Sequence, residues 1–314
     1  MVYEITRSIL MRLSEYKWIR TIAMYVEACK YLDLRVWDHV GGNRRVFEAL
    51  MSDKPQAICN IGGFESVALR KCLRYRYDPR RFELLASNCE QLYINAGVFP
   101  KNYDTLEKYS QLITNEILPE ITHMVVYFGW GEAAFVKKYC RDFIPVRAGS
   151  LSAYLWPSPW TLALAGKKVL VVHPFINTIL QQYPLRRYIW GHKEILPDFQ
   201  LDVLRVPLSP ALIPPKTQSW FETLEILKED MTHRCFDVAL IGAGAYSLPL
   251  VVHAKRLGKK GIHTGGETQF LFGIKGRRWD GTIMYNRFYN EYWIRPLPDE
   301  TPPNNSIIEN GCYW

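Results

Sequence analysis

Asp237-Val238-Ala239-Leu240-Ile241-Gly242-Ala243-Gly244-Ala245-Tyr246-Ser247 is the stretch on which the reading of the fold turns. A short apolar run ends in a glycine pair, and a helical stretch to Leu257 follows. A strand buried on both faces, a turn of residues without a Cβ and a helix opening from that turn make one βα step. The unit recurs on either side. Gly261-Ile262-His263 leads through Thr264-Gly265-Gly266 into a helix from Glu267, and Lys168 to Val172 breaks at His173-Pro174-Phe175 before a helix over 177–182. Nearer the start, Met124 to Phe128 leads through Gly129-Trp130-Gly131 into a helix over 132–139. Ala57 to Ile61 leads through Gly62-Gly63 into a helix over 64–74. Five such units predict an α/β, Rossmann-like fold: a mainly parallel sheet with helices on both faces.

Apolar residues at Ile5, Ile9, Leu13, Tyr16, Ile19, Ala23 and Val26 step by three and four, the spacing of an amphipathic helix, and predict an N-terminal helical extension within residues 1–54. Residues 55–150 form a first α/β half and residues 151–314 a second, with the proline-bearing stretch 145–159 read as a crossover or hinge between them. A helix is expected over 103–118, stopped by Pro119. From Arg277 to Trp314 the chain is rich in aromatics and prolines, so this tail is expected to pack over the sheet.

Hydrophobic residues make up 48% and charged residues 22% of the 314, which excludes a disordered or collagen-like chain. No apolar run is long enough to span a bilayer. Glu4, Arg7, Arg12, Glu15, Lys17 and Arg20 interrupt the segment where a signal core would lie. A cytoplasmic protein without a transmembrane segment is the expectation, and the Asn304-Asn305-Ser306 sequon is discounted on that ground. The seven cysteines show no CxxC pair and the histidines no ligand spacing, so reduced, buried thiols are expected. A formal net charge of +8 favours an anionic partner. Basic residues are interspersed with acids along the chain, which points away from nucleic acid. The local group Lys275, Arg277 and Arg278 beside Trp279 reads as a solvated face or a diphosphate clamp.

In an open parallel sheet, ligands bind outside the carboxyl ends of the strands, where helix N-termini offer unpaired N–H groups and partial positive charge. All five turns are expected on that edge. The run from Gly242 to Ser247 approaches a dinucleotide fingerprint, but Ser247 replaces its third glycine. Ile241 stands where a methyltransferase would carry an acid. Glu65, two residues past Gly63, is a carboxylate in the first turn of a helix. It suits a general base, a metal ligand, a sugar-hydroxyl acceptor or a complement to the helix dipole. Glu267 has the same placement beside Gly265 and Gly266, with Thr268 and Gln269 as neutral hydrogen-bonding neighbours. His173 suits a phosphate donor or a turn-satisfying ring.

Several stretches resemble a family of bacterial and viral proteins associated with surface polysaccharide synthesis. They are Val238 to Asp280, Asn95 to Pro100, Pro159-Trp160, Lys167 to Phe175, and Gly311-Cys312-Tyr313-Trp314. More loosely, the chain is similar to GT-D-type glycosyltransferases, which transfer a sugar from a nucleotide donor. Their Arg-Phe-Gly-Asp-Gly-Glu motif supplies a metal-associated Asp and Glu after the first strand. The matching stretch is Asn60-Ile61-Gly62-Gly63-Phe64-Glu65, where Glu65 is kept and Gly63 replaces the aspartate. The resemblance implies transfer, with inversion, from a nucleotide sugar, a UDP-sugar first, to a glycan acceptor. It implies Glu65 as the catalytic residue and, if Mn2+ or Mg2+ takes part, as its ligand. The donor site is expected from Asn60, Gly62, Gly63, His173, Pro174, Phe175, Gly242, Gly244, Tyr246, Gly265, Gly266, Glu267, Thr268 and Gln269, with Lys275 and Arg277 behind them. The alternative is a non-catalytic nucleotide-sugar-binding protein in glycan assembly.

Overall fold

A computed structural model describes residues 17–191 and 193–314. Of the expected N-terminal helix, residues 17–29 are described and form α1 (Lys17–Cys29); its part over 5–16 lies outside the described residues. Seven strands follow in one sheet: β1 (Gln56–Asn60), β2 (His123–Val126), β3 (Ile144–Arg147), β4 (Lys168–His173), β5 (Gln200–Arg205), β6 (Val238–Ile241) and β7 (Lys260–His263). Their spatial order is β3-β2-β1-β7-β6-β4-β5 and every pairing is parallel. The fold is therefore α/β and Rossmann-like. Strands β1 and β7, with Ile58 opposite Ile262, join the two stretches of chain into one sheet.

Strand side chains alternate between two apolar layers, as a pleated strand requires. Cys59, Leu170, Val172 and Ile241 enter one layer. It is covered by α3 (Gly63–Tyr75), α4 (Arg81–Gln91), α5 (Tyr103–Leu112), α6 (Glu132–Tyr139), α9 (Trp220–Thr232) and α10 (Ser247–Arg256). Ile58, Val169, Val171 and Leu240 enter the other. There α2 (His39–Met51), α7 (Ile176–Gln182), α8 (Arg186–Ile189) and α11 (Gly266–Leu271) pack with the aromatic tail, including Trp279, Trp293 and the half-buried rings of the turn α12 (Ile283–Asn286) and beyond. The tail does pack over the sheet.

Four expectations need correction. Seven strands stand where five were read, because β3 and β5 are the two edges and neither carries an uninterrupted apolar run. Pro145, expected in a hinge, lies inside β3, where an edge position tolerates the missing N–H. The helix from Tyr103 does not stop at Pro119. After Leu112 it widens into a π-helical turn over Ile113–Ile117, and Pro119 sits in the first turn of a short 3-10 segment, where no donor is needed. All seven cysteines are unpaired, but Cys29 and Cys235 are exposed rather than buried.

Candidate functional site

Because every strand is parallel, all seven carboxyl ends share one edge, and a cleft of about 490 Å3 opens along it. That volume is in the range of small-molecule sites. Neighbouring β6 and β4 send their chains in opposite directions, β4 outward to β5 and β6 inward to β7, which makes a crevice at their ends. Of the residues expected from the sequence, Asn60, Gly62, Gly63, Glu65, His173, Pro174, Phe175, Gly242, Gly244, Tyr246, Gly265, Gly266 and Glu267 line this cleft.

Glu65 is 7% exposed, in the first turn of α3. Its carboxylate folds back over Gly62 and takes a bond from its own N–H, which lowers its pKa. Burial outweighs that, with a smaller push from the Glu309 carboxylate, and the pKa stands above the usual carboxylate range. Glu267 is raised as well, again mainly by burial. Its Oε1 accepts from the Ser152 hydroxyl at 3.1 Å and the Tyr154 hydroxyl at 3.3 Å, while Oε2 is buried without a partner.

Two buried neutral imidazoles stand at strand ends as opposite tautomers. His173 Nδ1 accepts from the Phe175 N–H at 3.0 Å, so the ring is neutral with its proton on Nε2. His263 Nδ1 lies 3.0 Å from the Asn60 carbonyl and must donate to it, which leaves Nε2 as an acceptor. Burial holds His173 down to about 3 and His263 down to about 4. Asn60 returns a bond from Nδ2 to the His263 carbonyl, locking β1 to β7 beneath the cleft.

The glycine turns are crowded. A Cβ on Gly242 would lie 2.7 Å from the Gly265 carbonyl oxygen and 2.8 Å from the His173 ring, so only glycine lets the β4, β6 and β7 turns converge. Gly244 has φ +54, a left-handed conformation, with the Ala96 carbonyl 3.0 Å from where its Cβ would be.

Four expected residues do not line the cleft. Thr268 and Gln269 are fully buried: Thr268 Oγ1 pairs with Thr264 Oγ1 at 2.6 Å, and Gln269 Nε2 donates to the carbonyls of Lys275 and Tyr313. Lys275 places its ammonium 5.2 Å from the Tyr289 ring centre, and Arg277 donates to the Asn310 carbonyl. The cleft's cation is instead their neighbour Arg278, whose guanidinium lies 4.3 Å from the Tyr313 ring centre and donates to Glu309 at 3.1 Å. Sequence reasoning also missed Tyr127, Ser209, Trp279, Tyr285, Tyr313 and Trp314 as wall residues. The aromatic surplus of the tail was the available signal. Trp314 closes one end by resting on Phe175, with ring centres 5.6 Å apart.

Among the described residues no three His, Cys, Asp or Glu side chains gather at one point. With Gly63 in place of the partner acid, the donor set around Glu65 does not make a resident divalent-cation site. Compared with known protein families, curated proteins and solved structures, the chain matches none.

Proposed function

We propose that the cleft binds a nucleotide diphosphate sugar and transfers the sugar to a hydroxyl of a glycan acceptor. The observation that carries this reading is Glu65: a buried carboxylate, with no cation beside it and a raised pKa, in a cleft lined by glycine turns and helix N-termini. A base of that kind holds its proton weakly enough to release it and strongly enough to take it from an acceptor.

In the proposed step the acceptor oxygen attacks the anomeric carbon, and the bond from that carbon to the diphosphate oxygen breaks with its electron pair. The hydroxyl proton passes to Glu65. A single displacement of this kind inverts the anomeric centre. Charge growing on the diphosphate is met by the N–H groups of Gly244 and Gly266, by the Nε2–H of His173 and by Arg278, while the N–H groups of Gly242, Ala243, Tyr246, Gly265 and Glu267 already donate within the protein. Rings of Tyr127, Trp279 and Tyr285 offer flat apolar surface to the sugar or base. A reducing, cytoplasmic setting belongs to this reading and is supported by seven unpaired cysteines.

The test is a thermal-shift panel of UDP-, GDP-, TDP- and CMP-sugars, followed by an assay for slow donor hydrolysis. A ligand that prefers the native state raises Tm. No shift at millimolar donor overturns the reading. A shift with the donor left intact assigns the second reading, a nucleotide-sugar-binding protein without transfer, which the glycine at position 63 favours.

A further inference from the structure

Helix α1 is amphipathic and turns its apolar side outward. Its inward side is fixed by Glu27, fully buried, whose carboxylate accepts from the Ala133 N–H at the start of α6 and pairs with Lys30 at 2.5 Å. Exposed Trp18, Ile22, Tyr25 and Val26 fall at i, i+4, i+7 and i+8 on one helical stripe, with Thr21, Met24 and Cys29 also exposed on the helix; Trp18 is 63% exposed. Beyond the helix the stripe continues into Leu32 and Leu34, 87% and 86% exposed. Trp130 joins from the β2 turn, 65% exposed, with the Lys30 ammonium 5.0 Å from its ring centre.

A soluble chain gains nothing by presenting this many large apolar side chains together, so the face is built for a partner. Its shape and surroundings identify which. The stripe is the flank of a helix with two adjoining loops. Tryptophan and tyrosine, which favour the boundary between lipid and water, stand among aliphatic side chains. Cations border it: the Lys137 ammonium donates to the Lys30 carbonyl at 3.2 Å, and Lys137, Lys138 and Arg141 are all exposed at the end of α6. An outward apolar stripe edged by lysine and arginine is the pattern of a helix lying in the plane of an anionic bilayer.

We infer that α1, the Leu32–Leu34 loop and Trp130 form a surface that docks the protein on an anionic lipid membrane. No described helix is long and apolar enough to cross one, so the attachment is peripheral. Tyr31 and Trp37 pack against Phe128, at the carboxyl end of β2, so the docking face lies on the same sheet edge as the cleft. Binding would hold that edge beside the lipid. The inference stands on this surface alone and does not depend on sugar transfer.

The experiment is flotation of the full chain with vesicles of phosphatidylcholine alone and of phosphatidylcholine with phosphatidylglycerol, at low and high salt. Flotation with the anionic vesicles, weakened by salt, is expected. The double variants Trp18→Ser/Ile22→Ser and Leu32→Ser/Leu34→Ser should each lower the partition by about tenfold or more, through lost apolar burial. Lys137→Glu/Lys138→Glu should lower it for the anionic vesicles. All three should keep the wild-type Tm, because the altered side chains are exposed. A chain that stays with the soluble fraction overturns the inference, as do apolar-face variants that float like wild type. A concentration-dependent dimer that Trp18→Ser/Ile22→Ser dissolves would assign the face to a second copy and overturn it too.

Discussion

Two turns of this molecule are built alike and end differently. After β1 the chain runs Gly62-Gly63-Phe64-Glu65; after the neighbouring β7 it runs Gly265-Gly266-Glu267. Each puts a glutamate in the first turn of a helix, inside the same cleft, with its pKa raised mainly by burial. Glu267 is held by Ser152 and Tyr154, and the Arg278 charge favours its ionised form. Among the described residues, Glu65 takes a bond from its own N–H, and the Glu309 carboxylate pushes its pKa further up. Position on the fold is shared, so the difference comes from what the rest of the chain brings to each turn. A tethered carboxylate orients a ligand, whereas an untethered one is free to exchange a proton.

The largest expected effect breaks the comparison directly. If Glu65 is the base, Glu65→Gln keeps its shape, removes its charge and lowers turnover about a thousandfold, roughly 4 kcal/mol of transition-state stabilisation. Glu267→Gln, whose amide oxygen still accepts from Ser152 and Tyr154, should lower it only about tenfold. Equal losses in a donor-turnover assay would show that the two turns share one role.

The glycines beneath the acids give the next test. A Cβ on Gly62 would sit 2.2 Å from Glu65 Oε2, while one on Gly63 meets nothing within 4 Å. Gly62→Ala should push the carboxylate aside and reduce turnover about a hundredfold with the fold kept, since the displaced atoms end a side chain. Gly63→Ala should fold at least as stably as wild type, so any fall in donor affinity, read by titration, reports a ligand lying against that backbone.

Acid should weaken the floor of both turns. His263 and His173 stay neutral in the folded protein, at about 4 and about 3, and an unfolded histidine takes its proton near 6.5. Their contribution is present above the unfolded value and is lost as pH falls from there toward the folded values. Tm should drop by several degrees over that window, and His263→Gln should flatten part of the drop. Wild-type and variant melts that superimpose between pH 6.5 and pH 4 would refute this.

The smallest effect has the opposite sign. A buried carboxylate with a raised pKa favours the fold while protonated, and that contribution is lost as pH rises through the raised value. At pH 8 Glu65→Gln should therefore melt a few degrees higher than wild type, with the difference vanishing below about pH 4.5. Turnover of the wild type should move the other way, falling as pH drops and the base is protonated. A variant less stable than wild type at pH 8 would mean that Glu65 has a cationic partner in solution.

The fold class and the edge on which the cleft lies were legible in the amino-acid sequence. The central strands β1, β6 and β7 are covered on both faces, so each reads as an apolar run closed by a turn, and parallel strands put all those turns on one side. Thirteen of the expected residues line the cleft at that edge. The edge strands escaped because half-exposed β5, Gln200-Leu201-Asp202-Val203-Leu204-Arg205, has no burial to enforce a pattern, and β3 carries a proline that elsewhere breaks a strand. Tertiary structure alone chose among neighbours. Arg278 rather than Lys275 or Arg277 faces the cleft, Thr268 and Gln269 turn into the core, and Tyr313 and Trp314 return from the far end of the chain to wall the cleft. Local sequence sets which side chains are basic or apolar. Where each one points depends on what packs against the backbone beneath it, and here that is a segment distant along the chain.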